Sequence, residues 1–321
     1  MATTGLIIGK FLPPHAGHLA LVAAARAQVD ELTVLVCSLD REPIPGVLRH
    51  AWMSELCPDE RVVHLDEELP QQPSEHPDFW RLWTAAILER VPAPDVVFTS
   101  EDYGDELAAR LGARHVCVDR PRSRVPISGR AVRKDPLAAW RFLPPPVRAH
   151  FARRVAVVGP ESTGKTTLCA TLAERYRTRW VPEFARAHLD VKGAPFAPED
   201  VALIARGQVA AEDRLARECD RVLFCDTDLA TTAIYAEHYF GAAPGWLRVA
   251  AMERRYALHL LCDVDVPWVP DPQRDLPHLR DAMLARFRAA LDRRGGPTVV
   301  LSGSWDERLG RACAAIDRVL G

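Results

Sequence analysis

Apolar residues in this chain gather in short continuous runs, and amphipathic stretches lie between the runs. In the first half the runs are rich in β-branched residues, as buried parallel strands are, and they cover residues 4–8, 32–37, 95–100 and 115–118. The alanine-rich stretch 17–28 and the stretch 104–111 have helix patterns. This alternation predicts an open, mostly parallel α/β sheet in which residues 95–100 form the third strand.

A proline run, Leu143-Pro144-Pro145-Pro146, separates this half from a second alternating half. Proline lacks an amide hydrogen and clashes with the preceding turn, so no helix continues through the run. A short connecting helix is predicted over residues 147–152. Strand patterns then follow at 155–158, 222–225, 258–262 and 298–301, and helix patterns at 166–177, 199–218, 278–293 and in a closing segment that ends at Leu320. We therefore predict two α/β domains with mostly parallel sheets, residues 1–146 and 147–321.

Composition narrows the class of protein. The 321 residues exceed the size at which single cores usually split, and 48% hydrophobic with 26% charged residues is ordinary for a globular protein. The net charge of −2, with both signs interspersed, argues against a nucleic-acid partner. Eight scattered cysteines without a C-x-x-C pair fit a reduced, cytoplasmic protein. No signal peptide or membrane span is visible, so no membrane partner is expected. The oligomeric state stays open, a homo-oligomer included.

The junction of the first predicted strand and helix carries the run GKFLPPHAGH, residues 9–18. Backbone amides at a helix start attract phosphate, and Gly17 lets the backbone approach the ligand closely. We predict His18 as the main donor to a nucleotide phosphate, assisted by His15 and Lys10, with Gly9 in the same binding set. Such a site stabilises charge and needs no covalent intermediate. An isolated H-x-G-H also occurs by chance; the preceding strand and the following helix favour the site.

A second element near the end of this half is ISGRAVR, residues 127–133. Ser128 can cap a new helix whose amides face phosphate. Arg133 then projects a fork suited to β and γ phosphate oxygens. These residues are predicted to bind the triphosphate together with the histidines.

The two elements resemble those of the nucleotidyltransferase superfamily and, within it, of nicotinamide-mononucleotide adenylyltransferases. The family's H-x-G-H and I-S-x-T-x-x-R motifs map onto His15 and His18, and onto Ile127, Ser128 and Arg133. The family's threonine is replaced here by Arg130, so a small hydroxyl contact is lost and a cation is gained. The resemblance implies a Rossmann-like domain that transfers an adenylyl group from ATP.

Aromatic residues precede the third predicted strand: Trp52, Phe79, Trp80 and Trp83. These side chains pack in the core, or one of them stacks on a nicotinamide ring, because a flat cationic ring favours an aromatic face. The resemblance favours Trp80 or Trp83 for the second role. Residues 99–104 follow a strand end, where α/β sheets place ligands, and are predicted to line an adenosine pocket.

In the second half, the run GPESTGKTT at residues 159–167 follows a strand and opens a helix. In the pattern G-x-x-x-x-G-K-[ST], glycines and backbone amides cradle phosphate, the lysine reaches the β and γ oxygens, and the hydroxyl ligates magnesium. We therefore predict a site for ATP and Mg²⁺ in which Lys165 is catalytic and Thr166 binds the metal. Its residues are Gly159, Ser162, Thr163, Gly164, Lys165, Thr166 and Thr167.

Acidic residues that complete this site are expected at a neighbouring strand end. Asp226 and Asp228 follow the strand at 222–225; one can hold magnesium, and the other can activate a hydroxyl acceptor or bind the substrate's ribose. Glu183 competes as the base. The sequence leaves open which of the three is the base, and each alone is equally an exposed surface acid. We place Asp226 with the metal.

Residues 264–274 form a proline-stiffened loop that leaves a strand. Such a loop can close over ATP and deliver Arg274 or Arg280 to the transferring phosphoryl group. The alternative is an ordinary connector.

This half resembles the ribosylnicotinamide kinase domain that is fused to the adenylyltransferase in the bacterial NadR-type family. The matching runs are 159–167, V-P-E-F-A-R at 181–186, D-T-D at 226–228 and D-x-P-W-x-x-D-x-x-R at 265–274. The resemblance spans nearly the whole chain and implies that Arg186, Asp226 and Trp268 contact the substrate. Some members also carry an amino-terminal helix-turn-helix repressor domain; because this chain starts at the first strand, we expect none here.

The resemblance implies a bifunctional NAD salvage enzyme. One half phosphorylates nicotinamide riboside to nicotinamide mononucleotide (NMN), and the other joins NMN to AMP from ATP, giving NAD and pyrophosphate. One alternative is an adenylyltransferase and kinase of coenzyme A synthesis, against which the runs at 181–186 and 265–274 argue. Another is a sensor of ATP and NAD, with a working kinase and a weak adenylyltransferase because of Arg130.

Overall fold

The computed structural model describes residues 2–321. The chain divides into two compact units, an amino-terminal unit that ends at Val147 and a carboxy-terminal unit from Arg148 to Gly321. The division falls one residue after the boundary expected from the proline run. The predicted fold class is confirmed, since each unit holds a five-stranded, all-parallel sheet covered by helices.

The amino-terminal sheet has the strand order β3-β2-β1-β4-β5. Its strands are β1 (Thr4–Gly9), β2 (Glu31–Cys37), β3 (Arg61–Leu65), β4 (Val96–Thr99) and β5 (Arg114–Cys117). Its helices are α1 (Ala16–Arg26), α2 (Gly46–Leu56), α3 (Phe79–Arg90), α4 (Gly104–Leu111) and α5 (Gly129–Lys134). Two apolar clusters cover the two faces of the sheet: Ile87 of α3 and Leu107 of α4 belong to one, and Leu21 of α1 and Met53 of α2 to the other.

The prediction that residues 95–100 form the third strand is wrong. The edge strand β3 comes earlier in the chain, and β4 is the fourth. Only Leu65 of the five residues of β3 is fully buried. An edge strand with one buried residue lacks the continuous apolar run by which the inner strands were identified.

The carboxy-terminal sheet has the order β10-β9-β6-β8-β7. Its strands are β6 (Arg153–Val158), β7 (Arg179–Val181), β8 (Val222–Asp226), β9 (Leu258–Cys262) and β10 (Thr298–Leu301). Its helices are α7 (Lys165–Arg175), α8 (Phe184–Lys192), α9 (Asp200–Ala216), α10 (Leu229–Phe240), α11 (Gly245–Glu253), α12 (Arg280–Arg294) and α13 (Trp305–Leu320).

Helix α6 (Pro145–Phe151) spans the boundary and corrects the prediction for the proline run. The run was expected only to break the chain, with a helix from residue 147. Instead Pro145 and Pro146 form the first helical turn, where the missing amide hydrogen costs nothing and the fixed φ suits a helix.

The strand order positions both candidate sites. In each sheet the first strand lies in the middle, β1 between β2 and β4, and β6 between β8 and β9. At such a switch point, connections leave the carboxyl ends of neighbouring strands in opposite directions and open a crevice. The run at 9–18 follows β1 and the run at 159–167 follows β6, so each phosphate motif begins at the crevice of its own sheet.

The eight cysteines, all within the described residues, are free thiols, and only Cys117 is exposed. In residues 2–321 no helix is long and apolar enough to cross a membrane.

Candidate active sites

The amino-terminal unit contains a cavity of about 790 Å³ at the carboxyl ends of β1 and β4. Pockets for small ligands usually measure about 300–1,000 Å³, so this one has room for a nucleotide with a second ligand. The structure brings together around it the residues predicted to bind phosphate and the two tryptophans favoured for the nicotinamide ring: Gly9, Lys10, His15, Gly17, His18, Trp80, Trp83, Ser128 and Arg133.

The two histidines form a stacked pair at the start of α1. His15 is the N-cap of the helix, and its Nδ1 accepts a hydrogen bond from the backbone N–H of His18 at 3.4 Å. The two rings are parallel, with centroids 3.7 Å apart. A Cβ on Gly17 would lie 3.1 Å from the His15 ring, so glycine leaves that ring room beside the helix. Because Nδ1 of His15 accepts, its proton sits on Nε2, which is free to donate.

Burial keeps both imidazoles neutral. Desolvation, with the nearby charge of Arg122, lowers the pKa of His15 to about 4. The pKa of His18 is lowered well below its ordinary value by desolvation, by His15 and by Arg122. The Nδ1 of His18 is buried without a hydrogen-bond partner in the described chain. An anion placed against this pair would gain donors and would raise both pKa values.

The motif at 127–133 closes the cavity from the other side. Ser128 caps α5, its hydroxyl accepting from the N–H of Ala131 at 3.2 Å, as predicted. The Arg133 Nη1 donates to the carbonyl of Leu12 at 2.5 Å, which joins this motif to the loop after β1. A Cβ on Gly129 would approach the Leu12 carbonyl oxygen to 2.6 Å, so only glycine permits this close contact.

Positive charge is concentrated here beyond the predicted residues. Arg122 and Arg124, on the loop after β5, line the cavity with Arg130 and Arg133. Arg122 pairs with Glu101 at 2.8 Å, whereas Arg130 is exposed and has no ion-pair partner within residues 2–321. It therefore presents a free cation at the position where the family motif has threonine. The sequence analysis missed Arg122 and Arg124, although R-P-R-S-R directly after a strand was a readable signal.

Lys10 belongs to a charge network beside the cavity. Its Nζ lies 2.7 Å from the Glu42 carboxylate, which also pairs with the buried Arg49 at 2.5 Å. Arg49 in turn donates to the carbonyls of Lys10, Cys37 and Ile44. Burial opposes ionisation of Glu42, but Lys10 and Arg49 outweigh it and lower the pKa of that carboxyl. The network fixes the backbone of the loop after β1.

The aromatic residues of α3 both pack against the sheet and border the cavity. Trp80 and Trp83 are partly buried against the sheet cluster and also line the cavity, together with Phe79. The Trp83 indole donates to the carbonyl of Pro70 at 2.7 Å. Of the segment predicted to line an adenosine pocket, Thr99, Ser100, Glu101 and Tyr103 border the same cavity.

The carboxy-terminal unit contains a smaller cavity of about 180 Å³ beside the loop between β6 and α7. The predicted residues that line it are Ser162, Thr163, Gly164, Lys165, Thr166, Thr167, Glu183, Arg186 and Arg274. Gly159 (φ +138°) and Gly164 (φ +84°) have left-handed backbones, and a Cβ on Gly159 would lie 2.7 Å from the Cys262 carbonyl oxygen. Glycine is thus required for this loop shape.

The loop's functional side chains meet at the end of β8. The Lys165 Nζ donates to the carbonyl of Pro160 at 2.9 Å, and the Thr166 hydroxyl donates to Asp226 at 2.5 Å. The other oxygen of Asp226 is buried without a partner in the described chain. A hydroxyl and a carboxylate with a spare oxygen are suitable ligands for Mg²⁺, which takes one or two protein ligands and keeps waters and phosphate oxygens. No group of three or more His, Cys, Asp or Glu side chains that could hold a metal occurs in residues 2–321.

Glu183 faces the same cavity from the start of α8. Burial and the neighbouring Asp226 raise the pKa of Glu183, against the opposing charge of Lys165. Gln208 of α9 ties this turn to the sheet, accepting from the N–H of Phe184 at 3.0 Å and donating to the Asp226 carbonyl at 3.4 Å. Glu183 is therefore a carboxylate with a shifted pKa in a cleft, as general bases are.

The loop at 264–274 reaches the phosphate loop, as predicted. The N–H of Val269 donates to the Ser162 hydroxyl at 2.7 Å, and Arg280 donates to the Ser162 carbonyl at 3.2 Å. Arg274 and Arg186 line the cavity, and Arg186 pairs with Asp271 at 3.0 Å.

Five predicted residues stand apart from those that line this cavity in the described chain: Gly159, Asp226, Asp228, Trp268 and Arg280. Asp226 is connected to the cavity by the hydrogen bond that it accepts from the Thr166 hydroxyl. The ring of Trp268 lies beside Arg280, 6.0 Å from its guanidinium carbon. Asp228 is 1% exposed and caps α10, accepting from the N–H and the hydroxyl of Thr231.

The sequence analysis missed the wall formed by α10. Thr231, Thr232, Tyr235 and Tyr239 line the cavity together with Glu161 and with Phe196, whose ring packs against Tyr239 at 5.8 Å. Tyr235 and Tyr239 stack at 6.3 Å, and the Tyr239 hydroxyl donates to Asp275 at 2.5 Å. Two tyrosines four residues apart, after the strand that ends at Asp226, were the available signal.

The chain is similar to several known proteins. Residues 154–308 match the family model described as an AAA domain. The chain is 29% identical over 297 residues to the trifunctional NAD biosynthesis/regulator protein NadR of Escherichia coli (strain K12), covering 85% of this chain and 72% of that protein. It is 31% identical over 137 residues to the nicotinamide-nucleotide adenylyltransferase of Methanocorpusculum labreanum, covering 40% of this chain and 77% of the relative.

Two solved structures share the fold along the whole chain. A NadR protein in complex with NR has a TM-score of 0.82 at 22% identity, covering 100% of this chain and 97% of the other. A NadR protein in complex with NAD and AMP-PNP has a TM-score of 0.78 at 23% identity, with the same coverage.

Proposed function

Because the chain is a NadR-like protein and belongs to the nicotinamide-nucleotide adenylyltransferase family, we propose that it catalyses two consecutive steps of NAD salvage. The carboxy-terminal unit phosphorylates the 5′-hydroxyl of nicotinamide riboside with ATP. The amino-terminal unit then transfers AMP from a second ATP to the resulting NMN, giving NAD and pyrophosphate. The observation that carries the proposal is that each phosphate motif lines a separate cavity of its own unit.

In the kinase step, Lys165 and the phosphate loop hold the β and γ phosphates. Thr166 and Asp226 are the residues that would hold Mg²⁺, which neutralises phosphate charge when bound. The riboside occupies the cavity next to Glu183, which accepts the proton of its 5′-hydroxyl as the oxygen attacks the γ phosphorus. Arg186 and Arg274 face the transferring group and stabilise its charge.

We assign the base to Glu183 because it lines the cavity, whereas Asp228 is engaged as a helix cap and Asp226 with Thr166. A raised pKa makes Glu183 a better proton acceptor than an ordinary exposed carboxylate.

In the adenylyl step, an oxygen of the NMN phosphate attacks the α phosphorus of ATP and pyrophosphate leaves. His18 and His15 donate to the phosphoryl oxygens, and Arg133 with Arg122, Arg124 and Arg130 compensates the charge of the leaving pyrophosphate. Trp80 and Trp83 offer aromatic faces to the nicotinamide ring of NMN.

A product time course tests the function. With nicotinamide riboside, ATP and Mg²⁺, we expect ADP and NMN to appear first, followed by NAD and pyrophosphate. Phosphopantetheine in place of the riboside is the matched control and should give no dephospho-coenzyme A. Accumulation of NMN without NAD would favour the alternative of a kinase with a weak adenylyltransferase, and absence of both products would contradict the proposal.

A further inference from the structure

A half-exposed tryptophan lies against the phosphate loop of the carboxy-terminal unit, outside its cavity. Trp305 is the first residue of α13 and is 38% exposed. A Cβ built on Gly164 would lie 3.4 Å from Cζ3 of its indole, so the ring is in van der Waals range of the loop. Its indole therefore offers a partly exposed aromatic face directly beside the loop that binds phosphate.

Buried bonds fix the position of this ring relative to the loop. Arg308 is 2% exposed and donates to the carbonyl of Thr163 at 3.3 Å and to that of Gly303 at 3.1 Å. A capping box between Ser304 and Glu307 holds the first turn of α13. Trp305 follows Ser304 directly, so it is held in register with the phosphate loop by both contacts. Its face is preorganised, which reduces the entropy that a ligand would lose on binding.

The adjoining cavity cannot take both substrates. Its volume of about 180 Å³ is below the roughly 300–1,000 Å³ of most ligand pockets. Its walls include Glu183 and Tyr235, groups suited to hydrogen-bond a hydroxylated acceptor. The proposed function places the nucleoside acceptor in this cavity. The base of an ATP whose β and γ phosphates sit in the loop therefore lies outside the cavity, on the neighbouring surface.

We propose that Trp305 is the platform on which the adenine of the phosphoryl donor stacks. The proposal rests on the kinase function given above and adds a residue that determines how the donor's base is held. The acceptor lies on the Glu183 side of the phosphate loop, and the donor base lies on the Trp305 side. Stacking on an aromatic face tolerates different bases. Trp305 therefore increases the affinity for the nucleotide more than it discriminates between purine bases.

Steady-state kinetics of ADP formation from nicotinamide riboside and ATP test this. ADP reports the kinase alone, because the adenylyl step releases pyrophosphate. Trp305→Ala should raise KM for ATP about tenfold, as expected for the loss of one base–aromatic stack, and leave kcat near its starting value. Trp305→Phe should keep most of the affinity. Trp246→Ala, which removes a 46% exposed tryptophan from α11, is the matched control and should change neither constant.

Inhibition by tripolyphosphate separates stacking from damage to the phosphate loop. This anion has no base, so Trp305→Ala should leave its inhibition constant unchanged while KM for ATP rises. An unchanged KM for ATP, or an equal loss for ATP and tripolyphosphate, would overturn the proposal. If the unaltered protein forms no ADP, it is the kinase function that fails. Stacking is then tested by calorimetry of ATP binding to a protein that carries His18→Ala in the amino-terminal site. Adding Trp305→Ala to this protein should lower its affinity for ATP.

Discussion

At the scale of single residues, the amino-terminal site depends on histidines that are neutral before the ligand arrives. His15 is 5% exposed, stacks on His18 and lies near the charge of Arg122. Burial and the charge of Arg122 disfavour a second proton on the imidazole. A bound phosphate reverses the balance, because its negative charge favours the imidazolium. The two imidazoles can therefore gain a proton, and with it a positive charge, when a phosphate binds.

This argument predicts the titration of His15. With a folded pKa of about 4 and an ordinary value of 6.5, the unfolded chain binds more protons between these limits, so His15 makes stability fall as the pH decreases from 6.5 to 4. In ¹³C-histidine NMR spectra, the Cε1 resonance of His15 should titrate near pH 4. Its titration midpoint should move to higher pH when pyrophosphate is bound. His15→Asn, which keeps an N-cap side chain, assigns the signal. Titration near pH 6.5 without ligand would contradict this account.

Arg130 is the residue at which the chain departs from the family motif. The structure places it at the cavity, exposed and without an ion pair in the described residues, next to Ser128 and Arg133. Its guanidinium offers donors to phosphate over a longer reach than a threonine hydroxyl. The substitution thus adds charge to a site that already holds Arg122 and Arg124.

At the scale of elements, the inner strands of both sheets were predictable, and one edge strand of each sheet, β3 and β7, was not. Strands such as β6 and β8 carry continuous buried runs, and both phosphate motifs follow strands of this kind. The edge strand β7 has three residues with one buried, and α8 has no fully buried residue. Neither has an apolar pattern to read. The cavity wall on α10 was missed because its tyrosines meet the phosphate loop only through the fold.

Helix α10 also gives one of the predicted catalytic residues, Asp228, a structural contact. Asp228 caps the helix and lies 3.5 Å from both His259 and Arg294. Burial works against its ionisation, but His259, the Thr231 amide and Arg294 outweigh burial and lower the pKa of Asp228. Asp228 thereby positions the helix that carries Tyr235 and Thr231.

Paired variants distinguish this role from that of the base. Asp228→Ala leaves the guanidinium of Arg294 without its buried carboxylate partner and should lower the unfolding free energy of the carboxy-terminal unit by about 3–5 kcal/mol. Glu183→Gln should leave that free energy unchanged and lower the kinase kcat by about 10²–10⁴. Urea unfolding and ADP formation measure the two effects. The assignments would be reversed if Asp228→Ala unfolded normally and abolished phosphorylation.

At the scale of the whole molecule, each unit is complete in itself. The amino-terminal cavity is lined by residues from Ile7 to Arg133, and the carboxy-terminal cavity by residues from Glu161 to Arg274. Each has its own sheet, its own switch point and its own phosphate motif. The order of the proposed reactions runs against the chain, since the kinase unit acts first.

The independence of the two sites is the central claim, and a crossed pair of substitutions tests it most directly. Phosphorylation of nicotinamide riboside and NAD synthesis from supplied NMN are measured for Lys165→Ala and His18→Ala. Lys165→Ala should lower the first rate by about a hundredfold or more and spare the second, and His18→Ala should do the reverse. Loss of both activities from either substitution, in a protein with an unchanged circular dichroism spectrum, would contradict the two-site account.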